Sequence, residues 1–146
     1  MTRGDISAVA AVEKNAFTSP WTEAMFAEEL NNPLAVYLVL ELSGEVCGYA
    51  GFWRVLDEAQ VTNIAVLSSL RGAGRGKNLV SALLETAART GAREIFLEVR
   101  RSNHAAQKFY AGLGFSVCGQ RPGYYQDDGE DALLMSKLLT VDDEDE

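Results

Sequence analysis

Three glycines stand within five residues in the segment Arg71-Gly72-Ala73-Gly74-Arg75-Gly76-Lys77. The segment follows a strand-like stretch, Gln60 to Val66, and leads directly into an apolar stripe of helical spacing that ends near Gly91. Glycines let the backbone turn tightly and approach an anion, and the N–H groups of a helix's first turn point at that anion. The chain must therefore place a strand, an anion-binding turn and a helix in succession, and a pyrophosphate is the ligand that suits the turn.

This segment does not match the two commonest nucleotide-binding motifs. Lys77 is followed by Asn78 rather than Ser or Thr, so the hydroxyl that binds magnesium in a nucleotide P-loop is missing. The spacing also differs from the G-x-G-x-x-G pattern of dinucleotide-binding folds. The alternative is that the glycines only turn a loop, but three of them cost more chain entropy than a simple turn requires.

Hydrophobic periodicity divides the rest of the chain into helices and strands. A capping box at Thr2–Asp5 precedes a helix that runs to Ala16, and Ser19-Pro20 is expected to begin a second helix that ends at Leu30. Ser102-Asn103 caps a short helix that Gly112 ends. The expected strands are Ala35 to Leu42, Val46 to Val55, Gln60 to Val66, Glu94 to Val99, Phe115 to Gly119 and Ala132 to Leu138. The order ααβββαβαββ predicts a single mixed α/β domain over residues 1–140.

Composition and charge exclude several classes of protein. Apolar residues make up 47% of the 146 residues, which is typical of a globular protein. The net charge is −8, and five of the 21 acidic residues form the end of the chain, so residues 141–146 are expected to be a disordered acidic tail. An acidic protein is a poor partner for nucleic acid. The chain has neither a run of ~20 apolar residues nor a signal peptide, so we expect a cytoplasmic protein with no membrane partner.

A few single residues could suggest other chemistry. Two cysteines, Cys47 and Cys118, and one histidine, His104, are too few for a disulfide framework or a histidine- and cysteine-rich metal site, so no metal is expected. We expect both cysteines to be small core residues and His104 to be a polar residue in the first turn of a helix. Glu58 is expected to be a turn charge and Asp127–Asp131 a solvated loop, since the latter lacks the ligand order of a calcium loop.

The pattern Arg71-x-x-Gly74-x-Gly76, preceded by Asn63-Ile64-Ala65-Val66, resembles the acetyl-coenzyme A signature of the GNAT acyltransferases. Further motifs, spread over about Phe17 to Leu138, resemble the ribosomal-protein-alanine N-acetyltransferase (RimI-type) branch of that family. They are Pro20-Trp21, Leu97-Glu98-Val99-Arg100, Ser102-Asn103, Phe109-Tyr110, Leu113-Gly114-Phe115, Tyr124-Tyr125 and Glu130-Asp131-Ala132. The chain departs from the pattern at His104, where a small apolar residue is common, and in its acidic tail.

The resemblance implies a mixed, mostly antiparallel sheet whose two central parallel strands splay apart. Acetyl-CoA, the implied co-substrate, would enter between the strand ending at Val66 and the strand Glu94 to Val99. Backbone groups of Ile64, Ala65 and Val66 would pair with the pantetheine arm, and Asn103 would hydrogen-bond the arm near the thioester. The pyrophosphate would be held by the amides of Arg71, Gly72, Ala73, Gly74, Arg75, Gly76 and Lys77.

The chemistry requires a base for the amine and an acid for the departing thiolate. An α-amino group has a pKa of about 7.7–8.0 and a lysine side chain about 10.4, so deprotonation at pH 7 costs roughly 1 kcal/mol for the first and nearly 5 for the second. A carboxylate suffices for an α-amine, and Glu98 is the candidate base, because Gln60 stands where many relatives place a basic glutamate. Tyr110 is the candidate acid. The alternatives are that Glu98 only faces solvent and that Tyr110 is a core residue.

Four aromatic residues, Trp21, Tyr37, Tyr124 and Tyr125, are expected to line a peptide groove, although two of them could equally be core residues. The resemblance implies direct acetyl transfer, in a ternary complex, to the α-amine of a protein. The implied target is the N-terminal alanine of a small-subunit ribosomal protein, whose basic tail would suit this acidic surface; the enzyme would be a monomer or weak dimer. Two alternatives stay open: acetylation of lysine side chains or small polyamines, and a non-catalytic CoA-binding subunit.

Overall fold

The computed structural model describes residues 1–17, 20–67 and 74–139, which form a six-stranded sheet with helices on both faces. The helices are α1 (Ile6–Ala16), α2 (Glu23–Leu30), α3 (Arg75–Arg89) and α4 (His104–Gly112). The strands are β1 (Ala35–Leu42), β2 (Glu45–Val55), β3 (Glu58–Val66), β4 (Glu94–Arg100), β5 (Ser116–Arg121) and β6 (Ala132–Leu138). The predicted order ααβββαβαββ is confirmed. None of the described helices is both long enough and apolar enough to span a membrane.

The starts of the first two helices differ in how well the sequence predicted them. The capping box is present, since the Asp5 carboxylate accepts a hydrogen bond from the Thr2 N–H at 2.8 Å, and it begins a single 3-10 turn ahead of α1. The expected start of α2 at Ser19-Pro20 is wrong: Pro20 is not helical, and Ser19 lies outside the described residues. Thr22 is the N-cap instead, because its Oγ1 accepts from the Met25 N–H at 3.3 Å.

The sheet has the order β1-β2-β3-β4-β6-β5, and β3–β4 is its parallel pair. These two strands are paired only where Glu58–Gln60 lie opposite Glu94–Phe96. Both strands continue beyond that point, β3 to Val66 and β4 to Arg100, but the ladder between them stops. The predicted splay of two central parallel strands is therefore confirmed, and it opens a gap in the middle of the sheet.

A β-bulge in β3 lies beside this gap. Gly51 of β2 is opposite Asn63, whereas the next residue, Phe52, is opposite Val61. Thr62 is therefore an extra residue without a cross-strand partner, and a bulge of this kind redirects the side chains around it. The splay and the bulge together determine where functional side chains can lie close to one another.

Two apolar clusters cover the two faces of the sheet. One contains α3 residues such as Leu83 with Phe52, Ile95 and Met135, and the other joins α1 and α2 to the opposite face through residues such as Phe26. Burying each such side chain contributes roughly 1.5–3 kcal/mol. The second cluster lies on β1, β2 and β3, so α1 and α2 are placed on one half of that face.

Of the expectations for Cys47, Cys118 and Glu58, one is confirmed and two are wrong. Cys47 is buried as expected, but Cys118 is exposed, because it lies on the edge strand β5, which is solvated along most of its length. Glu58 is the first residue of β3 rather than a turn residue, since the turn is made by Leu56 and Asp57. The acidic tail, residues 141–146, lies outside the described residues.

Candidate functional site

The gap between β3 and β4 forms a cleft of about 340 Å³, which we call the gap cleft. Residues 61–64 of β3 form one wall and residues 97–100 of β4 the other, and side chains from α4 and from the loop between β5 and β6 close it. The further lining residues are Phe17, Asn103, Ala106, Tyr110, Tyr124 and Tyr125. The sequence-predicted residues Glu98, Tyr110, Asn103 and Ile64 are thus brought together around one opening.

A second cleft, of about 620 Å³, opens on the face of the sheet that carries α1 and α2, and we call it the face cleft. Its floor is formed by side chains of β3, β4 and β6, and its walls include two indole rings. The lining residues are Trp21, Trp53, Glu58, Gln60, Val61, Thr62, Phe96, Glu98, Arg121, Tyr124 and Leu134.

Four residues line both clefts: Val61, Thr62, Glu98 and Tyr124. The two clefts therefore meet at the bulge of β3 and the facing part of β4. A group in the gap cleft and a group in the face cleft would approach each other at this junction.

Glu98 is the charged side chain of the junction. Ile95, Leu97 and Val99 of β4 are buried in the core, so the strand's alternation turns Glu98 toward the open face. Its side chain is 22% exposed, and its Oε2 accepts a hydrogen bond from Arg121 Nε at 3.1 Å. An ionised carboxylate held in this way can accept a proton from an amine in either cleft.

Tyr110 reaches the gap cleft from α4. Its ring packs edge-on against Phe109 and Phe115, and its hydroxyl has no hydrogen-bond partner among the described residues. Burial favours the neutral phenol over the phenolate and raises the pKa of Tyr110 to about 12. The side chain is therefore a proton donor throughout the neutral range.

Asn103 is the N-cap of α4. Its Oδ1 accepts the Ala106 N–H at 3.0 Å, which leaves its amide nitrogen as a donor beside the gap cleft. His104 is the exposed first residue of the same helix and lines neither cleft, as expected for a polar first-turn residue.

The N-terminus of α3 carries the glycine-rich segment. Gly74 is its N-cap with φ +78°, a left-handed conformation that glycine adopts without strain. The N–H groups of the first turn, from Arg75 to Lys77, have no partners within the helix, and the helix dipole adds positive potential there. Arg75 Nε is buried and has no partner among the described residues. This set of donors fits a diphosphate; Arg71, Gly72 and Ala73 lie outside the described residues.

Three of the four expected groove aromatics line a cleft. Trp21 is on the face cleft, Tyr125 is on the gap cleft and Tyr124 is on both. Tyr37 lines neither: it is only 7% exposed and packs against Phe26 and Tyr49, so the expectation that it lines the groove is wrong. An aromatic residue on a strand can face either side of the sheet, and here the α2 side buries it.

The Trp21 wall is fixed by a buried carboxylate that the sequence analysis did not single out. Glu13 of α1 is 2% exposed, accepts the Trp21 N–H at 2.9 Å and also accepts the Tyr49 hydroxyl. A buried charge is tolerated only when such donors satisfy it. The connection between α1 and α2 is therefore held against the sheet beside the face cleft.

The loop at Asp127–Asp131 is largely exposed, as expected for a solvated loop, and Arg100 also binds it through several carboxylates. Arg100 lies 2.8 Å from Asp127, 3.2 Å from Asp128 and 3.4 Å from Glu130, and its guanidinium carbon is 4.0 Å from the centre of the Tyr125 ring. The hydrogen bond from Arg100 lowers the pKa of Asp127. Because Arg100 ends β4, these contacts place Tyr124 and Tyr125 at the two clefts.

Glu130 extends this connection to α4. Its Oε2 accepts the Ser102 N–H at 2.6 Å, and hydrogen bonds from the Ser102 side chain and from its N–H lower the pKa of Glu130. The loop is thus tied both to the end of β4 and to the residue before the Asn103 cap. The only signal in the sequence was the surplus of carboxylates between two strands, which does not reveal the distant arginine.

Comparisons with known proteins agree with this geometry. The model of the acetyltransferase (GNAT) family matches residues 6–115, and the chain belongs to that family of acetyl-transferring enzymes. It is 47% identical over 132 residues to a Bacillus subtilis protein named as a candidate ribosomal protein bS18-alanine N-acetyltransferase, covering 90% of this chain and 87% of that one. It is 36% identical over 141 residues to the [ribosomal protein bS18]-alanine N-acetyltransferase of Escherichia coli K12, covering 94% and 93% of the two chains.

A solved structure shows the same architecture. The crystal structure of the ribosomal-protein-S18-alanine N-acetyltransferase from Escherichia coli superimposes with a TM-score of 0.88 at 32% identity, over 97% of this chain and 92% of that chain. The resemblance to the GNAT family and to its RimI-type branch is thereby confirmed, and the fold inferred from it is correct.

Proposed function

We propose that this protein transfers an acetyl group from acetyl-CoA to the α-amine at the N-terminus of a protein. The observation that supports this most directly is the junction of the two clefts at Glu98. One cleft lies between splayed strands, where the arm of a coenzyme can take the place of a strand, and the other follows the sheet face, where a peptide can lie. A carboxylate between them is in reach of both reactants.

The coenzyme would occupy the gap cleft and the N-terminus of α3. Backbone groups of Ile64, Ala65 and Val66 would pair with the pantetheine arm as a neighbouring strand does, and the Asn103 amide would bind near the thioester. The residues from Arg71 to Lys77 would bind the pyrophosphate, together with Arg75 Nε, which has no hydrogen-bond partner in the described part of the chain. The thioester supplies an acetyl group that is already activated for attack.

The residues of the junction would then transfer two protons, one from the amine and one to the thiolate. Glu98 would take the proton that the ammonium must lose before it can attack, directly or through a water molecule. Deprotonation of the ammonium at pH 7 costs roughly 1 kcal/mol for an α-amine and nearly 5 for a lysine side chain. A carboxylate base is therefore strong enough for the α-amine, and the enzyme should prefer it. Tyr110 would give its proton to the departing thiolate, since the phenol stays protonated in its buried position.

The substrate's peptide would lie in the face cleft with its amine at the junction, between Trp21, Tyr124 and Tyr125. The names of the relatives from Bacillus subtilis and Escherichia coli specify an alanine of ribosomal protein bS18 as the acceptor. We propose the same target class for this chain. Its net charge of −8 favours a basic peptide.

A comparison of two peptide substrates, one with a free α-amine and one with a free lysine, tests the proposed substrate class. The protein is incubated with acetyl-CoA and either an alanine-starting basic peptide with its lysines blocked or the same peptide with a blocked N-terminus and a free lysine. Mass spectrometry is expected to show acetylation of the first peptide at a rate at least about tenfold higher, because its amine is neutral more often at pH 7. Preference for the lysine would contradict the proposal, and binding of CoA without any transfer would indicate a non-catalytic subunit.

A further inference from the structure

Among the described residues, Thr62 carries the only aliphatic hydroxyl that lines both clefts. It is the extra residue of the β3 bulge, so its side chain is not set by a regular cross-strand pair. It faces the same junction as Glu98, where the proposed amine must lie. Its hydrogen bonds within the protein therefore determine whether it can donate to a substrate or only accept from it.

A chain of hydrogen bonds leads from Thr62 into the protein. Thr62 Oγ1 lies 3.0 Å from the Tyr37 hydroxyl, and that hydroxyl donates to Glu29 Oε1 at 2.8 Å. The indole N–H of Trp53 donates to the same Glu29 oxygen at 2.7 Å. Three elements of the fold, β1, α2 and β2, thus contribute to the hydrogen-bond chain that ends at Thr62.

The directions of these hydrogen bonds follow from the chemistry of the groups. An indole N–H can only donate, so Glu29 Oε1 accepts from Trp53, and the same oxygen accepts from the Tyr37 hydroxyl. A phenol has one proton, and in Tyr37 that proton goes to Glu29. Burial raises the pKa of Tyr37 above its usual range, so the phenol keeps that proton. Thr62 must therefore be the donor in its contact with Tyr37.

A threonine hydroxyl has one proton and two lone pairs. Because the proton of Thr62 points at Tyr37, only lone pairs remain for the clefts. We propose that Thr62 Oγ1 accepts a hydrogen bond from the substrate's amino group, and that Tyr37 and Glu29 are positioning residues that hold this hydroxyl as an acceptor. The inference rests on the proposed function and adds a residue that recognises the amine.

The same arrangement would help orient the attacking nitrogen. An amine attacks through its lone pair, so its N–H groups must find acceptors on the side away from the thioester. Thr62 on β3 and Glu98 on β4 would offer such acceptors from the two sides of the junction. The Tyr37 ring lies directly over Gly51, where a Cβ atom would overlap the ring atoms, so Tyr37 has a fixed place from which to direct Thr62.

Two substitutions at Thr62 test the acceptor. Thr62→Val has nearly the same shape without the oxygen, and we expect it to lower kcat/KM for an alanine-starting peptide about tenfold, the effect of losing one hydrogen bond to a polar substrate group. Thr62→Ser keeps the hydroxyl and is expected to retain most of the activity. The KM for acetyl-CoA should be unchanged in both, because the coenzyme does not use this hydroxyl.

A double-mutant cycle tests the positioning residues. Tyr37→Phe leaves the Thr62 proton without its acceptor, so kcat/KM should fall severalfold in the wild-type background and not at all in the Thr62→Val background. Tyr49→Phe is the matched control: it removes another buried hydroxyl bonded to a carboxylate, but one that does not contact Thr62. Any effect of Tyr49→Phe should be the same in both backgrounds.

The outcomes separate the inference from the proposed function. If the wild type is active and Thr62→Val has nearly the same kcat/KM, the inference is overturned and the proposed function stays intact. Equal effects of Tyr37→Phe in both backgrounds would overturn the positioning by Tyr37. A wild type that acetylates no peptide α-amine would overturn both. If Tyr37→Phe does not fold, the comparison of Thr62→Val with Thr62→Ser still decides the proposal.

Discussion

Replacing Glu98 by Gln is expected to lower kcat for acetylation of a peptide α-amine by about 100-fold or more at pH 7. The amide keeps the size of the carboxylate but cannot take the proton of the ammonium. Because an α-amine has a pKa of about 7.7–8.0, it becomes neutral without help as the pH rises, so the deficit of the variant should shrink between about pH 7 and 9. Steady-state rates measured across this pH range check both expectations.

Glu94→Gln is the matched control for this substitution. Glu94 lies on the same face of β4, four residues before Glu98, and lines neither cleft. We expect its kcat to stay within about twofold of the wild type, as for most substitutions away from special features. Near-wild-type turnover of Glu98→Gln, with coenzyme binding intact, would reject Glu98 as the base.

Replacing Tyr110 by Phe is expected to lower kcat by a similar factor of about 100, with little change in the KM of either substrate. The phenylalanine fills the same space against Phe109 and Phe115 but has no proton for the thiolate. Burial raises the pKa of Tyr110 to about 12, so the donor is lost only at higher pH, and the wild type should show no loss of activity from this group below about pH 11.

Tyr49→Phe again serves as the control, since Tyr49 is fully buried and lines neither cleft. It should lower the melting temperature, because the Glu13 carboxylate loses a donor, while kcat falls far less than in Tyr110→Phe. Equal losses of kcat in the two variants would show that a missing hydroxyl acts through stability, and Tyr110 would then not be the acid.

The fold was largely predictable because its signals are local. The alternation within strands such as Ala132–Leu138, and the apolar stripe that follows Gly76, need only neighbouring residues to be recognised. The start of α2 was not predictable in this way, because Ser19-Pro20 and Thr22 both offer a plausible cap and only the packing of the connection decides between them.

The site was predictable where a motif specifies it and not where distant residues meet. The motifs predict that Glu98, Asn103 and Tyr110 lie near one another at the gap between the splayed strands. The burial of Tyr37 and the binding of the loop by Arg100 depend on contacts between residues far apart in the chain. No pattern within a single segment encodes such contacts, because each partner alone resembles an ordinary surface or strand residue.

We propose that the gap between β3 and β4, with the N-terminus of α3, binds coenzyme A. Gly74 and Gly44 have nearly the same left-handed backbone, with φ +78° and +82°, but Gly44 lies in the hairpin turn between β1 and β2. Alanine is strained equally at both positions, so Gly74→Ala should weaken coenzyme binding and Gly44→Ala should not.

Isothermal titration calorimetry with coenzyme A tests this claim most directly. We expect a saturable heat for one site per chain in the wild type and in Gly44→Ala, and a clearly higher dissociation constant in Gly74→Ala. No heat with the wild type at about millimolar coenzyme A, a concentration that detects even weak binding, would contradict both coenzyme binding in the gap and the proposed acetyl transfer.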